Sequence, residues 1–154
     1  MAMLLSKYKI VSAETIPVPD PAPEGRVKGG YYETRCLLKA KLENGLTVLV
    51  IHFGLNPDEQ KNAADTVLQN IEDEKCVLMG DFNMTPENKI LAPIFERMTY
   101  TAEGFCAEKL SFPSVDPNRK IDFIFVSRDA KVTFADIPAI VASDHRPHTA
   151  EIEA

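Results

Sequence analysis

Cysteine is scarce in this sequence: Cys36, Cys76 and Cys106 make three, an odd number with no C-x-x-C pair among them. That excludes a disulfide framework and a zinc ribbon as the organising principle. Cys36 and Cys76 lie in apolar strand-like runs and read as reduced, buried, inert thiols. No apolar run approaches 18 residues, so no segment qualifies as a membrane-spanning helix and no stable membrane insertion is expected. The opening Met1-Ala2-Met3-Leu4-Leu5-Ser6-Lys7 lacks the length and the charged-then-apolar order of a signal peptide, which makes a cytoplasmic location the expectation. Positive charge is in deficit as well. Seventeen Lys and Arg against twenty-three Asp and Glu leave a net charge of −6. Beyond a Debye length, ~8 Å at physiological salt, such a field repels polyanions, which disfavours an extended nucleic-acid track. Tryptophan, internal repeats and low-complexity tails are absent.

What is present is an ordinary globular composition, 45% hydrophobic and 26% charged over 154 residues. One domain spanning residues 1–154 is expected, burying roughly 68–70% of its unfolded surface. Residues 4–18 read as one or two strands. Pro17 to Gly25, with four prolines, then forms an exposed loop. Residues 31–42 and 46–53 read as two antiparallel strands joined at Asn44-Gly45, a pair that accepts positive φ in a tight hairpin. Asn56, Pro57 and Glu59 supply a cap, a first-turn proline and a reciprocal carboxylate for a helix running to about residue 73. Its inward stripe is Ala63, Ala64, Val67, Leu68 and Ile71. Residues 76–79 form a short apolar run of the kind found in a central strand. Thr85-Pro86 is expected to open a second helix, with Ile90, Leu91, Ile94 and Phe95 inward and Pro93 kinking it. Residues 120–126, 131–134 and 149–152 complete the strands. Strands joined partly by hairpins and partly by helices indicate a layered α/β (α+β) domain with a mixed sheet.

The chemistry gathers at strand ends. Gly80-Asp81-Phe82-Asn83 follows the apolar strand 76–79 directly, where α/β sheets place their ligands. Asp81 and Asn83, two apart, offer an acid/base or metal ligand beside a neutral amide. Alone, the pair would be an ordinary turn. His52 closes the strand before it, though a single histidine there is more often structural than catalytic. Ser143-Asp144-His145-Arg146-Pro147 brings a metal-ligand carboxylate, a proton-carrying imidazole and a positive charge, against the bland reading of a polar β-turn. Asp122 stands between apolar residues, where an unpaired carboxylate is costly. His145 is its expected partner, held in one tautomer by the carboxylate. Arg35, Arg119, Lys120 and Arg146 are candidates for holding substrate, each weighed against an ordinary solvated charge. His148 is set aside as a metal ligand because it falls at the start of the last strand.

A strand ending in histidine, then Gly-Asp-Phe-Asn, an Ile-Asp-Phe-Ile strand and Ser-Asp-His, in that order, resemble the signature set of the deoxyribonuclease I-like endonuclease/exonuclease/phosphatase superfamily. Phe112-Pro113-Ser114 with Asn118-Arg119-Lys120-Ile121-Asp122 resembles bacterial members described as metal-dependent hydrolases. The resemblance implies a four-layer sandwich of two mixed β-sheets flanked by helices. It begins inside the family's domain, so the chain reads as N-terminally incomplete, without the segment that supplies an Asn and a metal-binding Glu. An exposed sheet edge, and a homodimer through it, then becomes an expectation.

The resemblance also implies metal-dependent hydrolysis of phosphate esters with Mg²⁺ or Mn²⁺. Asp144 would be a metal ligand, with Asp81, Asn83 and His145 near the metal too. Asp81 and Asn83 would activate and hold water, His52 and His145 would contact the phosphate, and Asp122 would orient His145. Arg119 and Arg146 remain the substrate-binding candidates. The acidic balance favours a small or lipid-linked ester over long DNA. The competing expectation is an inactive fragment or binding module, because the family's Glu is absent.

Overall fold

The structure is a computed structural model and describes residues 3–153. Its elements are β1 (Ile10–Pro17), β2 (Cys36–Leu42), β3 (Thr47–His52), α1 (Pro57–Asn70), β4 (Cys76–Asp81), α2 (Ala92–Arg97), β5 (Thr99–Tyr100), β6 (Asp122–Val126), β7 (Lys131–Asp136) and β8 (Thr149–Glu153). Six strands form one sheet in the order β1-β2-β3-β4-β6-β5, and β7 and β8 pair as a second. The larger sheet is mixed: β3 and β4 run parallel, joined through α1, and the other neighbours run antiparallel. The smaller sheet is an antiparallel pair.

Alternation along the strands sends side chains to two faces. Leu37, Leu49, Ile51, Leu78, Phe123 and Phe125 face α1 and α2, and they bury the main core with Ala63, Val67 and Ile94. Phe82 is fully buried, stacked on Phe53 with ring centroids 4.7 Å apart and edge-on to Phe123 at 5.3 Å. On the opposite face, Val77 and Val126 pack with Ala130 and with Val132 and Ile152 of the small sheet. The layered α/β sandwich expected from the sequence is therefore present, with the helices outside the larger sheet.

Local expectations held where the chemistry is short-range. Gly45 adopts φ 87° in the β2–β3 hairpin, and the Leu46 amide bonds to Asn44 Oδ1 at 3.2 Å. At the start of α1, the Glu59 carboxylate accepts from the Asn56 amide at 3.3 Å and from its side chain at 2.6 Å.

Several expectations are corrected. The first strand begins only at Ile10 and the second only at Cys36, which is half-buried rather than buried. Helix α1 stops at Asn70, short of residue 73. Ile71 turns to extended backbone there, and Arg97 takes the Leu68 carbonyl at 2.8 Å. No helix opens at Thr85-Pro86. Residues 85–91 make successive tight turns, with Asn88 donating to the Thr85 carbonyl and Leu91 to that of Asn88. Asn88 Oδ1 captures the Ile90 amide at 3.0 Å, offering the backbone an alternative to the helical ladder. Pro93 does not kink a helix but sits in the first turn of α2, where a missing N–H costs nothing. Residues 1 and 2, part of the opening read against a signal peptide, lie outside the described residues.

Candidate active site

His52 ends β3, Asp81 ends β4 and Asp122 begins β6, and the register pairs His52 with Asp81 and Asp81 with Asp122. The three side chains thus occupy one row across three strands, on the face opposite the helices. Two of these strands are the parallel pair, so the row lies beyond their carboxyl ends. Gly80 makes the close approach feasible. A Cβ there would sit 1.8 Å from the Ile51 carbonyl oxygen of the neighbouring strand. Asp81 and Asp122 also border a cleft of about 300 Å³ with Val50, Met79, Ile124 and Arg146.

His145 reaches this row from the loop between β7 and β8. Its Nδ1 lies 2.8 Å from Asp122 Oδ2, and an ionised carboxylate only accepts, so Nδ1 carries the proton. Nε2 is then left facing Asp81, 3.8 Å from Oδ2. His52 Nε2 stands 3.4 Å from the same oxygen. Asp81 Oδ1 accepts the Asn83 amide at 2.8 Å. Asn83 itself is held in the left-handed region, φ 51°, with its Nδ2 donating to the Phe53 carbonyl at 2.9 Å. Among the described residues, Asn83 Oδ1 accepts no hydrogen bond.

The environment pulls the titrating groups apart. Burial pushes the Asp81 carboxyl up, reinforced by the Asp122 charge, against the Asn83 amide and the two histidines. Burial pushes His52 down despite Asp81. Burial acts the same way on His145, but the hydrogen bond and charge of Asp122, with Asp81 and Asp144 adding, outweigh it and raise the imidazole above its ordinary value. A carboxylate made more basic, a neutral imidazole and an imidazole inclined to hold its proton then share one site.

Asp81, Asp122 and His145 each offer a ligand atom within 4.8 Å of the others. Two carboxylates with one imidazole suit a hard divalent cation. Asp144 is not in this group. Its side chain is exposed and makes no hydrogen bond or ion pair among the described residues, while its carbonyl accepts the Ser114 amide. His148 is also outside the group, its Nδ1 directed at the Asp122 carbonyl at 3.3 Å. Arg146 lines the cleft and gives Nε to the Ser114 carbonyl at 2.9 Å. Arg119 is exposed, with its guanidinium 4.8 Å from the Phe112 ring. Arg35 is far from solvated: its side chain is 13% exposed and paired with Glu33. Lys120 turns inward and gives its ammonium to the Cys106 and Ala107 carbonyls, which removes it from the substrate-holding candidates.

Sequence reasoning gave no role to Ser111, Phe112 or Ser114, yet all three touch the loop or strand that carries the Asp122–His145 pair. Phe112 packs on the His145 ring with centroids 4.6 Å apart. Their signals in the sequence were proximity to the Asp122 strand and, for Phe112 and Ser114, a place in the Phe112-Pro113-Ser114 passage that carries the resemblance.

The sequence pattern of the Endonuclease/Exonuclease/phosphatase family matches residues 2–145. Among solved structures, the endonuclease/exonuclease/phosphatase from Bacteroides vulgatus is 23% identical with a TM-score of 0.75, over 96% of this chain and 66% of that one. The Bacteroides thetaiotaomicron mannosyl-6-phosphatase is 19% identical with a TM-score of 0.77, over 96% and 68%. D. rerio TDP2 complexed with single strand DNA product is 15% identical with a TM-score of 0.65, over 95% and 68%. The chain thus spans about two thirds of the length of these structures. No curated protein matches it.

Proposed function

The chain belongs to the Endonuclease/Exonuclease/phosphatase family, and from that premise we propose that it hydrolyses phosphate esters with water as the nucleophile. The observation that carries this reading is the meeting of His52, Asp81, Asp122 and His145 at one end of the sheet, with His145 Nδ1 held by Asp122 at 2.8 Å. Two structural neighbours support it, since one is named a phosphatase and the other holds a DNA product.

Asp81 has the position and raised basicity to take a proton from water, with Oδ1 engaged by the Asn83 amide and Oδ2 directed between His52 and His145. Asn83 presents Oδ1 to orient that water. His145, its Nδ1–H committed to Asp122, turns Nε2 toward the reacting phosphate; with a second proton on Nε2, which its raised basicity favours, it meets developing negative charge with a donor. His52, neutral by burial, adds a second contact to the phosphate oxygens. Mg²⁺ or Mn²⁺ would be held by the Asp81 and Asp122 carboxylates, with Asp144 on the loop and His145, when Nε2 carries no proton, as further candidates, and would supply Lewis-acid polarisation of the phosphoryl oxygen. With a net charge of −6, the proposed substrate is a small or lipid-linked ester rather than long DNA.

The test is turnover of an activated phosphodiester and an activated phosphomonoester, with and without Mg²⁺ or Mn²⁺. Metal-dependent turnover is expected, falling by about 10²-fold or more in Asp81→Ala and His145→Ala. Folded wild-type protein no faster than these variants would identify an inactive fragment or binding module instead.

A further inference from the structure

We propose that the turn from Ser111 to Ser114 is the positioning element of this site, with Ser114 holding the His145 loop and Ser111 holding the Asp122 strand. The proposal rests on the hydrolytic reading for its kinetic consequence and on the geometry alone for its structural one. Neither serine faces the reacting groups; both act through the backbone of residues that do.

Ser114 uses all three of its polar groups on one short loop. Its hydroxyl donates to the Ser143 carbonyl at 2.6 Å, its amide donates to the Asp144 carbonyl at 2.7 Å, and its carbonyl accepts from Arg146 Nε at 2.9 Å. The Ser111 carbonyl accepts the Arg146 amide at 2.7 Å. These bonds grip the chain on both sides of His145, at residues 143, 144 and 146. On the other flank, the Ser111 hydroxyl accepts the Ile121 and Asp122 amides at 3.2 and 3.3 Å. Between the serines, the Phe112 ring lies against the His145 ring.

A single turn therefore touches both partners of the Asp122–His145 bond. Both serines are nearly fully buried, Ser111 at 0% and Ser114 at 3% exposure, so these bonds face little competition from water. The geometry matters because the His145 loop is otherwise weakly held: Val141 to Asp144 are exposed, and no strand contains them. Without the clamp, the loop keeps its sequence but loses the placement that fixes Nδ1 on Asp122 and aims Nε2 at Asp81.

The test is Ser114→Ala, with Ser114→Thr as the conservative variant that keeps the hydroxyl. Long-range ¹H–¹⁵N spectra of the imidazoles report which His145 nitrogen carries the proton, independently of any activity. In wild-type protein, at a pH where the imidazole is neutral, His145 is expected as the Nδ1–H form. In Ser114→Ala, folded by circular dichroism, that preference should weaken, and kcat should fall about tenfold to a hundredfold with KM changed by less than about twofold. Ser114→Thr should restore both. A folded Ser114→Ala protein with His145 still wholly Nδ1–H and kcat unchanged would overturn the proposal. So would a loss that Ser114→Thr leaves unrepaired. Should Ser114→Ala not fold, Ser111→Ala decides by the same resonances. If wild-type protein hydrolyses no ester, the phosphoesterase reading fails, while the His145 protonation form still decides the fate of the clamp.

Discussion

Asp81 sits in surroundings that disfavour its charge. Burial raises its carboxyl and the neighbouring Asp122 charge adds to that, against the Asn83 amide and the two histidines. A carboxyl raised on folding holds its proton longer in the native state than in the unfolded one. Stability therefore falls as pH rises from the unfolded value, about 3.9, through the folded one, and stays reduced above it. Asp81→Asn keeps the shape and the acceptor for the Asn83 amide while removing the charge. Its melting temperature at pH 7 is expected to exceed that of wild type, the gain shrinking as pH falls through the raised folded value and vanishing below about 4, while turnover drops by about 10²-fold or more. Paired thermal scans at the two pH values check this, and a variant less stable than wild type at pH 7 would contradict it. His145 carries the opposite consequence. Its raised imidazole adds stability below its unfolded value, about 6.5, that is lost as pH rises through the folded one.

The parallel pair β3 and β4 is the element on which the site depends, since it sets His52 beside Asp81. Gly80 occupies the point of closest approach, and any side chain there meets the Ile51 carbonyl. Gly80→Ala is expected to cost about 3 kcal/mol or more in urea unfolding, because the strands must separate or slip to admit the methyl group. A loss below 1 kcal/mol, roughly the cost of an ordinary surface change, would show that the two strands can part without penalty. The sequence placed His52 and Asp81 at strand ends because apolar runs ending in polar residues are local patterns; it put Asp122 inside a strand over 120–126, which the structure begins at Asp122 itself. It misplaced the second helix for an equally physical reason. The cap at Thr85 and the proline after it are genuine start signals, but Asn88 competes for the backbone a turn later, and only the tertiary packing of Leu91 and Ile94 decides where the ladder begins.

Across the whole molecule, β1 is the marginal strand, paired on one side with β2 and exposed along most of its length. Ile10 and Val11 are 40% and 57% exposed. Free strand edges of this kind template association, so two chains are expected to pair through β1. Sedimentation velocity should show a concentration-dependent dimer that Val11→Lys weakens at least about tenfold, the repulsion of charges brought together at a shared edge. A wild-type monomer at every concentration would remove this expectation.

The sequence by itself determined the class of fold, the order of most strands, the hairpin at Asn44-Gly45, the start of α1 and the residue types brought to the sheet end. Each of these follows from interactions within a few residues: periodicity, capping, turn conformations and the cost of burying a lone carboxylate. The cost of a lone buried carboxylate already pointed to His145 as the partner of Asp122, 23 positions away, but tertiary structure decided most other meetings, such as the bond between Ser114 and Ser143 across 29 positions. Such pairings are set by sheet register and by the packing of one loop on another, and no local pattern encodes them. The exposed placement of Asp144, the inward turn of Lys120 and the clamp at Ser111 and Ser114 became visible only once the strands were in register.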